Sequence, residues 1–124
     1  MPRVSKLEER LRNLIPQNFG SLESNAKDLT GTPDLVFRDV NLAVFVHGCF
    51  WHRHDSCQLA LWPQKDFVKW LKIFNSNVKR DIDALHRLHQ IGWYSLVVWE
   101  CEINDDIQDV VLRIGITIDS MRKQ

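Results

Sequence analysis

Residues 34–52 read Asp34-Leu-Val-Phe-Arg-Asp-Val-Asn-Leu42-Ala-Val-Phe-Val-His47-Gly-Cys49-Phe50-Trp51-His52. Two apolar runs, Leu35–Arg38 and Leu42–His47, flank Asp39-Val40-Asn41, and this predicts a β-hairpin. The second run empties into residues 48–65, where periodicity stops and Gly, two Cys, two His and two Trp collect: a loop dense in chemistry. Upstream, Ser5 opens a helix carrying Leu7, Leu11, Leu14 and Ile15 at helical spacing, and Pro16 closes it. Ser5-x-x-Glu8 fits a capping box there. Residues 17–33, rich in Asn, Gly, Ser, Thr and Pro, read as loop with room for a short irregular strand. Downstream, the spacing predicts a helix from Phe67 to Ile91, with Phe67, Trp70, Leu71, Phe74, Val78, Ile82 and Leu85 as its apolar face and Gly92 as its cap. Tyr94–Trp99 reads as a third strand covered on both faces. A last helix runs from Asp105 through Ile107, Val110, Val111 and Ile114 to Gly115, and residues 116–124 carry no clear pattern. The order helix, hairpin, helix, strand, helix predicts one mixed α/β domain over residues 1–124.

With 124 residues and 44% hydrophobic composition, the chain can bury one core and little more. Sixteen Lys and Arg offset sixteen Asp and Glu, whereas nucleic-acid-binding domains are usually strongly basic. The total hides segregation. Residues 52–90 hold seven bases against four acids, a balance of +3, and residues 91–109 hold five acids and no base, a balance of −5. No apolar run approaches the roughly 18 residues of a bilayer span, and no signal peptide opens the chain. Three cysteines cannot pair off completely, which argues for a reducing, cytoplasmic compartment where thiols are free or hold metal.

Cys49-x4-His54-x2-Cys57, with Cys101 after the third strand, offers three thiolates and an imidazole. That is a complete tetrahedral set for a structural zinc, with no position left for water. The competing reading is three buried free thiols with His54 a bystander. His47 and His52 flank Cys49 outside the ligand pattern. Phe50 and Trp51 between them are either core or, if exposed, a pair that stacks on or wedges between bases.

Asp34 follows Gly31-Thr32-Pro33, so its backbone is well defined by the proline. It is either a turn former or a metal-binding carboxylate at a strand start. Asp81, counted at about 100° per residue, falls within the apolar stripe of the long helix. An acid there needs a partner, either Arg80 or a histidine of the loop, or else it reaches to the helix edge.

Thr32-Pro33-Asp34-Leu-Val-Phe, Phe45-Val46-His47-Gly48-Cys49-Phe50-Trp51-His52, Asn77-x-x-Arg80-Asp81, Gly92-Trp93 and Trp99-Glu100-Cys101 together resemble the very-short-patch-repair (Vsr) mismatch endonucleases, in order, over most of residues 5–103. The resemblance implies a restriction-endonuclease-like fold with a central mixed sheet flanked by helices, and a structural zinc on Cys49, His54, Cys57 and Cys101. It implies Mg²⁺ held by Asp34 and the backbone carbonyl of Val46, His52 as the base that activates water, Asp81 as its orienter, His47 as a second active-site histidine and Glu8 as an acid near the metal. Phe50 and Trp51 would be the wedge beside the mismatch, and Asn77 and Arg80 would face bases or backbone. Restriction-type nucleases usually place an acid and a lysine on the second hairpin strand. Those positions read Phe45 and His47 here, a departure characteristic of the Vsr group.

Three further features depart from the family: four residues before Ser5 where a longer basic arm is usual, two residues between His54 and Cys57, and Ile73 where a lysine is usual. The expected activity is nicking of one strand at a T:G mismatch by a monomer acting on double-stranded DNA, away from membranes, in a bacterial or phage-infected cell, with mismatch-repair proteins as possible partners. The alternatives are a phage or mobile-element nicking enzyme of other specificity, and a catalytically silent DNA-binding module. Zinc on three thiolates brings the net charge to −1, so stacking aromatics and a bridging Mg²⁺ would carry more of the grip than bulk attraction, and salt dependence would be modest.

Overall fold

A computed structural model describes residues 2–124, with side chains from residue 6 onward. Four strands form one mixed sheet in the order β1 (Glu23–Ser24), β2 (Leu35–Phe37), β3 (Leu42–His47), β4 (Tyr94–Trp99). β1–β2 and β2–β3 pair antiparallel, and β3–β4 pair parallel, with Val46 opposite Val98 and His47 opposite Trp99. The hairpin turns through Asp39-Val40-Asn41, where Asn41 takes φ +55° and donates its N–H to Arg38 O at 3.3 Å. Parallel pairing requires a long crossover, supplied here by residues 48–65 and α2 (Phe67–Gln90).

Side-chain alternation divides the core into two. Leu35, Phe37, Leu42, Val44, Val46 and Val98 face α1 (Pro2–Asn13) and α3 (Glu100–Arg122), where Leu7, Leu11, Ile103, Ile114 and Ile118 meet them. Val36, Ala43 and Phe45 face α2 and residues 26–29, packing against Leu88, Ala26 and Leu29. β3 is therefore buried on both faces along all six residues. The odd-numbered end of that strand, His47, lies on the α2 side, and so does Asp34 one step before β2. Alternation thus aims both at a single cleft.

Several sequence expectations need correction. α1 begins at Pro2, not Ser5, in keeping with the preference for proline in the first helical turn. Ser5 stands inside the helix, so the capping-box reading fails, although its side chain lies outside the described residues. Glu8 is mid-helix, turned inward and 7% exposed. α1 also ends at Asn13, and Leu14 and Ile15 close it with tighter three-residue bonds to Leu11 and Arg12. In α2, Phe67 and Ile82 are 60% and 62% exposed, while Phe74, Ala84 and Leu88 are buried. One stripe does not describe the helix, because its first half meets the 48–65 loop and its second half the sheet. β4 is only partly covered, since it is the sheet edge.

The last helix starts earlier and runs later than the pattern suggests. α3 leaves helical geometry at Asp106 (φ −159°, ψ 85°), whose carboxylate accepts from Asp109 N at 3.1 Å and starts the second segment. That second start is the one the periodicity detects. Gly115 does not end the helix. It admits Phe19, because a Cβ there would lie 2.7 Å from Phe19 Cζ. Gly115→Ala is expected to destabilise the protein, yet to stabilise it by up to about 1 kcal/mol in a Phe19→Ala background, where only helix propensity remains. Thermal melts of the two backgrounds check this, and equal signs would refute the steric account. Among the described residues, no helix is long and apolar enough to cross a membrane.

Candidate active site

Two clusters of chemical side chains converge on the C-terminal ends of β3 and β4. In the first, the ligand atoms of Cys49, His54, Cys57 and Cys101 all lie within 4.8 Å of one another. His54 Nδ1 is 3.6 Å from Cys49 Sγ and 3.4 Å from Cys101 Sγ. A tetrahedral ion about 2.3 Å from sulfur and about 2.0 Å from nitrogen sets such an S···N edge at about 3.6 Å, so the four donors fit one. Burial pushes the Cys49 and Cys101 thiols above their ordinary range, so thiolates there need a compensating cation. Backbone anchors support the cage. Cys49 N–H donates to the buried Glu100 at 3.2 Å, and Glu102 accepts from Trp99 N at 2.9 Å.

The second cluster lines a cleft of about 280 Å³ between the hairpin and α2. A larger hollow of about 540 Å³ lies instead beside the 53–62 segment and includes none of Asp34, His47, His52 and Asp81, so size alone does not locate the chemistry. His52 Nδ1 is 2.6 Å from Asp81 Oδ2. A carboxylate only accepts, so the proton sits on Nδ1 and Nε2 keeps a free lone pair. His47 stacks on His52 with centroids 4.0 Å apart and planes 5° from parallel, and its other side meets the Trp99 edge at 5.2 Å. Burial pushes the His47 imidazole down to about 4, with the charge of His52 adding to the effect, so it is neutral at pH 7.

Asp34 Oδ2 accepts from Val46 N at 2.7 Å. The register Leu35↔Val44, carried two residues on, sets Pro33 against Val46. The Pro33 carbonyl instead accepts from Ala26 N at 3.2 Å and proline has no N–H, so the ladder opens here and the Asp34 carboxylate takes the amide. A residue in an antiparallel ladder presents its N–H and C=O to the same neighbour, so the Val46 carbonyl shares this edge. Burial, with a smaller contribution from the negative charge of Glu8, pushes the Asp34 carboxyl up to about 6. Among the described residues, Glu8 Oε1 is buried without a hydrogen bond, with Arg12 Nη1 at 3.5 Å outside hydrogen-bond geometry. The half-buried Asp34 and the buried Glu8 lie near enough for their charges to interact, and hard oxygen donors of this kind suit a divalent cation.

The aromatic pair is neither wholly core nor wholly exposed. Phe50 and Trp51 are half-buried, meet each other edge-on at 5.2 Å, and lean on Trp70 and Phe74. Asn77 is placed otherwise than expected: its amide donates to Trp51 O at 3.0 Å and so holds the loop. Arg80 is exposed and lines the cleft rim. Lys72 is exposed while Ile73 is partly buried, so the adjacent lysine does not substitute in direction. Sequence reasoning missed Trp99, whose ring stacks on His54 at 4.2 Å and links the two clusters, and it missed the anchoring role of Glu100. The Trp-Glu-Cys block was the available signal for both.

The DNA mismatch endonuclease Vsr family matches residues 2–58. The chain is 36% identical over 101 residues to DNA mismatch endonuclease Vsr of Escherichia coli (strain K12), covering 82% of this chain and 64% of the relative. It is 38% identical over 98 residues to the type II nicking enzyme V.XorIIP of Xanthomonas oryzae pv. oryzae, covering 79% and 71% respectively. Against V.NmeAIP, a type II nicking enzyme of Neisseria meningitidis, identity is 40% over 81 residues, with 65% and 57% covered. The chain thus spans less than two thirds of the Escherichia and Neisseria relatives.

Proposed function

Since the chain belongs to the Vsr family of DNA mismatch endonucleases, we propose that it is a zinc-stabilised, Mg²⁺-dependent endonuclease that nicks one strand of duplex DNA at a T:G mismatch. The observation that carries the reading is the His52–Asp81 pair at 2.6 Å, in the same cleft as Asp34. Zinc on Cys49, His54, Cys57 and Cys101 pins the loop that bears His52. Asp34, the Val46 carbonyl and Glu8 would hold Mg²⁺, which when bound supplies charge neutralisation at the scissile phosphate and the leaving oxygen.

The protein's own groups do the rest. His52 Nε2 takes the proton of the attacking water, and Asp81 fixes the imidazole tautomer and stabilises the imidazolium that forms. Neutral His47 packs flat against His52 and fixes its ring plane, without adding a charge that would oppose protonation. Phe50 and Trp51 enter the base stack, where loss of pairing at a mismatch makes unstacking cheapest. Arg80 at the rim supplies positive charge to the backbone, and Asn77 steadies Trp51.

The test is nicking of a duplex with a single T:G mismatch in Mg²⁺ against its fully paired control. Only the mismatched duplex is expected to be nicked, on one strand. His52→Ala and Asp81→Asn are each expected to slow nicking by about 10²–10⁴-fold while leaving DNA binding intact. Equal cleavage of both duplexes would overturn the T:G specificity. Binding without Mg²⁺-dependent cleavage would overturn the nuclease reading in favour of a silent binding module. The nicking-enzyme names of the Xanthomonas and Neisseria relatives support a second reading, a nickase of different flanking specificity, which the same duplexes in varied contexts distinguish.

A further inference from the structure

Arg53 sits between the base His52 and the metal-cage residue His54, in the left-handed backbone region at φ +55°, and has no part in the chemistry above. Its side chain leaves both neighbours and runs under the aromatic pair. The guanidinium carbon lies 4.0 Å from the Phe74 ring centroid, 4.9 Å from Trp62 and 5.6 Å from Phe50. Nη1 donates to Phe50 O at 3.0 Å, and Nη2 donates to Ala60 O. One planar cation therefore ties together three pieces of chain: the backbone at the wedge, the turn at 58–60, and the more distant α2. The π faces compensate its lost hydration, and the fork of donors reaches two carbonyls at once. Lysine offers neither the plane nor the fork.

We propose that Arg53 is a positioning residue for base-stack entry, holding Phe50 and Trp51 in the conformation that meets DNA. The pair is then ordered when the protein folds rather than when it binds, and freeing two such side chains would weaken apparent affinity by about tenfold. The geometry stands by itself, but its consequence for DNA rests on the nicking activity proposed above.

The test uses the full, zinc-loaded chain and two variants: Arg53→Met, which keeps bulk, and Arg53→Lys, which keeps charge. The first arm needs no DNA. With 5-fluorotryptophan incorporated, the Trp51 fluorine resonance, assigned through Trp51→Phe, is expected to be one narrow line in the parent. It is expected to broaden or move toward the solvent-exposed position in both variants, with zinc content unchanged. The second arm measures nicking of the T:G duplex. KM is expected to rise about tenfold, with kcat falling by a smaller factor, and 2-aminopurine beside the mismatch is expected to lose its fluorescence rise at equal occupancy. An unchanged Trp51 line overturns the proposal. So does zinc loss confined to the variants, which would make Arg53 a support of the metal loop, and so does a fall in kcat at constant KM. If the parent nicks and binds no duplex, the nuclease reading fails, and the first arm still decides whether Arg53 holds Trp51.

Discussion

Removing the metal from the cysteine cage, by a strong chelator or by Cys101→Ser, is expected to lower the melting temperature by about 15 °C or more and to abolish nicking. Structural zinc in small domains contributes about 10–16 kcal/mol of apparent folding free energy, comparable with the total stability of a domain of this size. The segment it would hold has little regular backbone pairing and is otherwise tied by side chains such as Arg53 and Asn77. Residues 48–65 open with two wide turn contacts, His52 N to Gly48 O four residues back and His54 N to Cys49 O five residues back, and they place Arg53 and Ser56 in the left-handed region, at a cost of about 1 kcal/mol each. Cys101, in the first turn of α3, is the member of the proposed cage that joins this loop to the end of the sheet, so its loss is expected to detach the loop while leaving the β3–β4 ladder intact. The expected pattern is loss of the loop and of His52 positioning with most secondary structure retained, read by circular dichroism beside metal analysis near one zinc per chain. A melting temperature indifferent to chelation would refute the structural role.

Asp34→Asn is expected to reduce nicking by about 10³-fold or more, because the metal-binding charge is lost, and at the same time to stabilise the metal-free protein. The sign follows from burial. The Asp34 carboxyl is raised from 3.8 to about 6 in the folded protein, so between those values the folded state holds a proton the unfolded state has released. Stability from this group is present at pH below about 4 and declines as pH rises to about 6. Above that, the buried charge costs up to about 3 kcal/mol. Asparagine keeps an acceptor for Val46 N–H without the charge. The variant should therefore melt higher than the parent at pH 7.5 without Mg²⁺, and the difference should vanish near pH 4 and shrink as Mg²⁺ is added. A variant less stable at pH 7.5, or one that still nicks, would refute the account.

The strands were legible because their signal is local. β3 and β4 match their apolar runs residue for residue, and the gathering of Cys49, His54, Cys57 and Cys101 follows from spacing in one loop plus one distant cysteine. The acid in the apolar stripe was legible too, since Asp81 at that helical angle had to find a partner, and it finds His52. What stayed hidden depends on what each element packs against. The first turn of α3 lacks apolar periodicity, because Glu100 and Glu102 spend it anchoring Cys49 and Trp99. Gly115 looked like a terminator, because nothing near it in sequence reveals that Phe19 needs the space. Glu8 looked like a cap because the alternative, an inward carboxylate beside Asp34, joins residues 26 positions apart. In the sequence Arg53 is one of seven bases in residues 52–90, and only the converging rings of Phe50, Trp62 and Phe74 set it apart.

The gap in the ladder at Pro33 has a consequence for how this site tolerates variation. A ligand presented by the main chain is indifferent to the side chain that decorates it, so position 46 is free to drift among residues that fit the α1–α3 core. Position 33 has no such freedom. The register sets this residue opposite Val46, so an amide hydrogen there would add a donor that competes with the cation proposed for the Val46 carbonyl. Lineages of this fold would then record the chemistry as a silent column at 46 beside a constrained imino acid at 33, a signature that a search for invariant polar side chains would pass over.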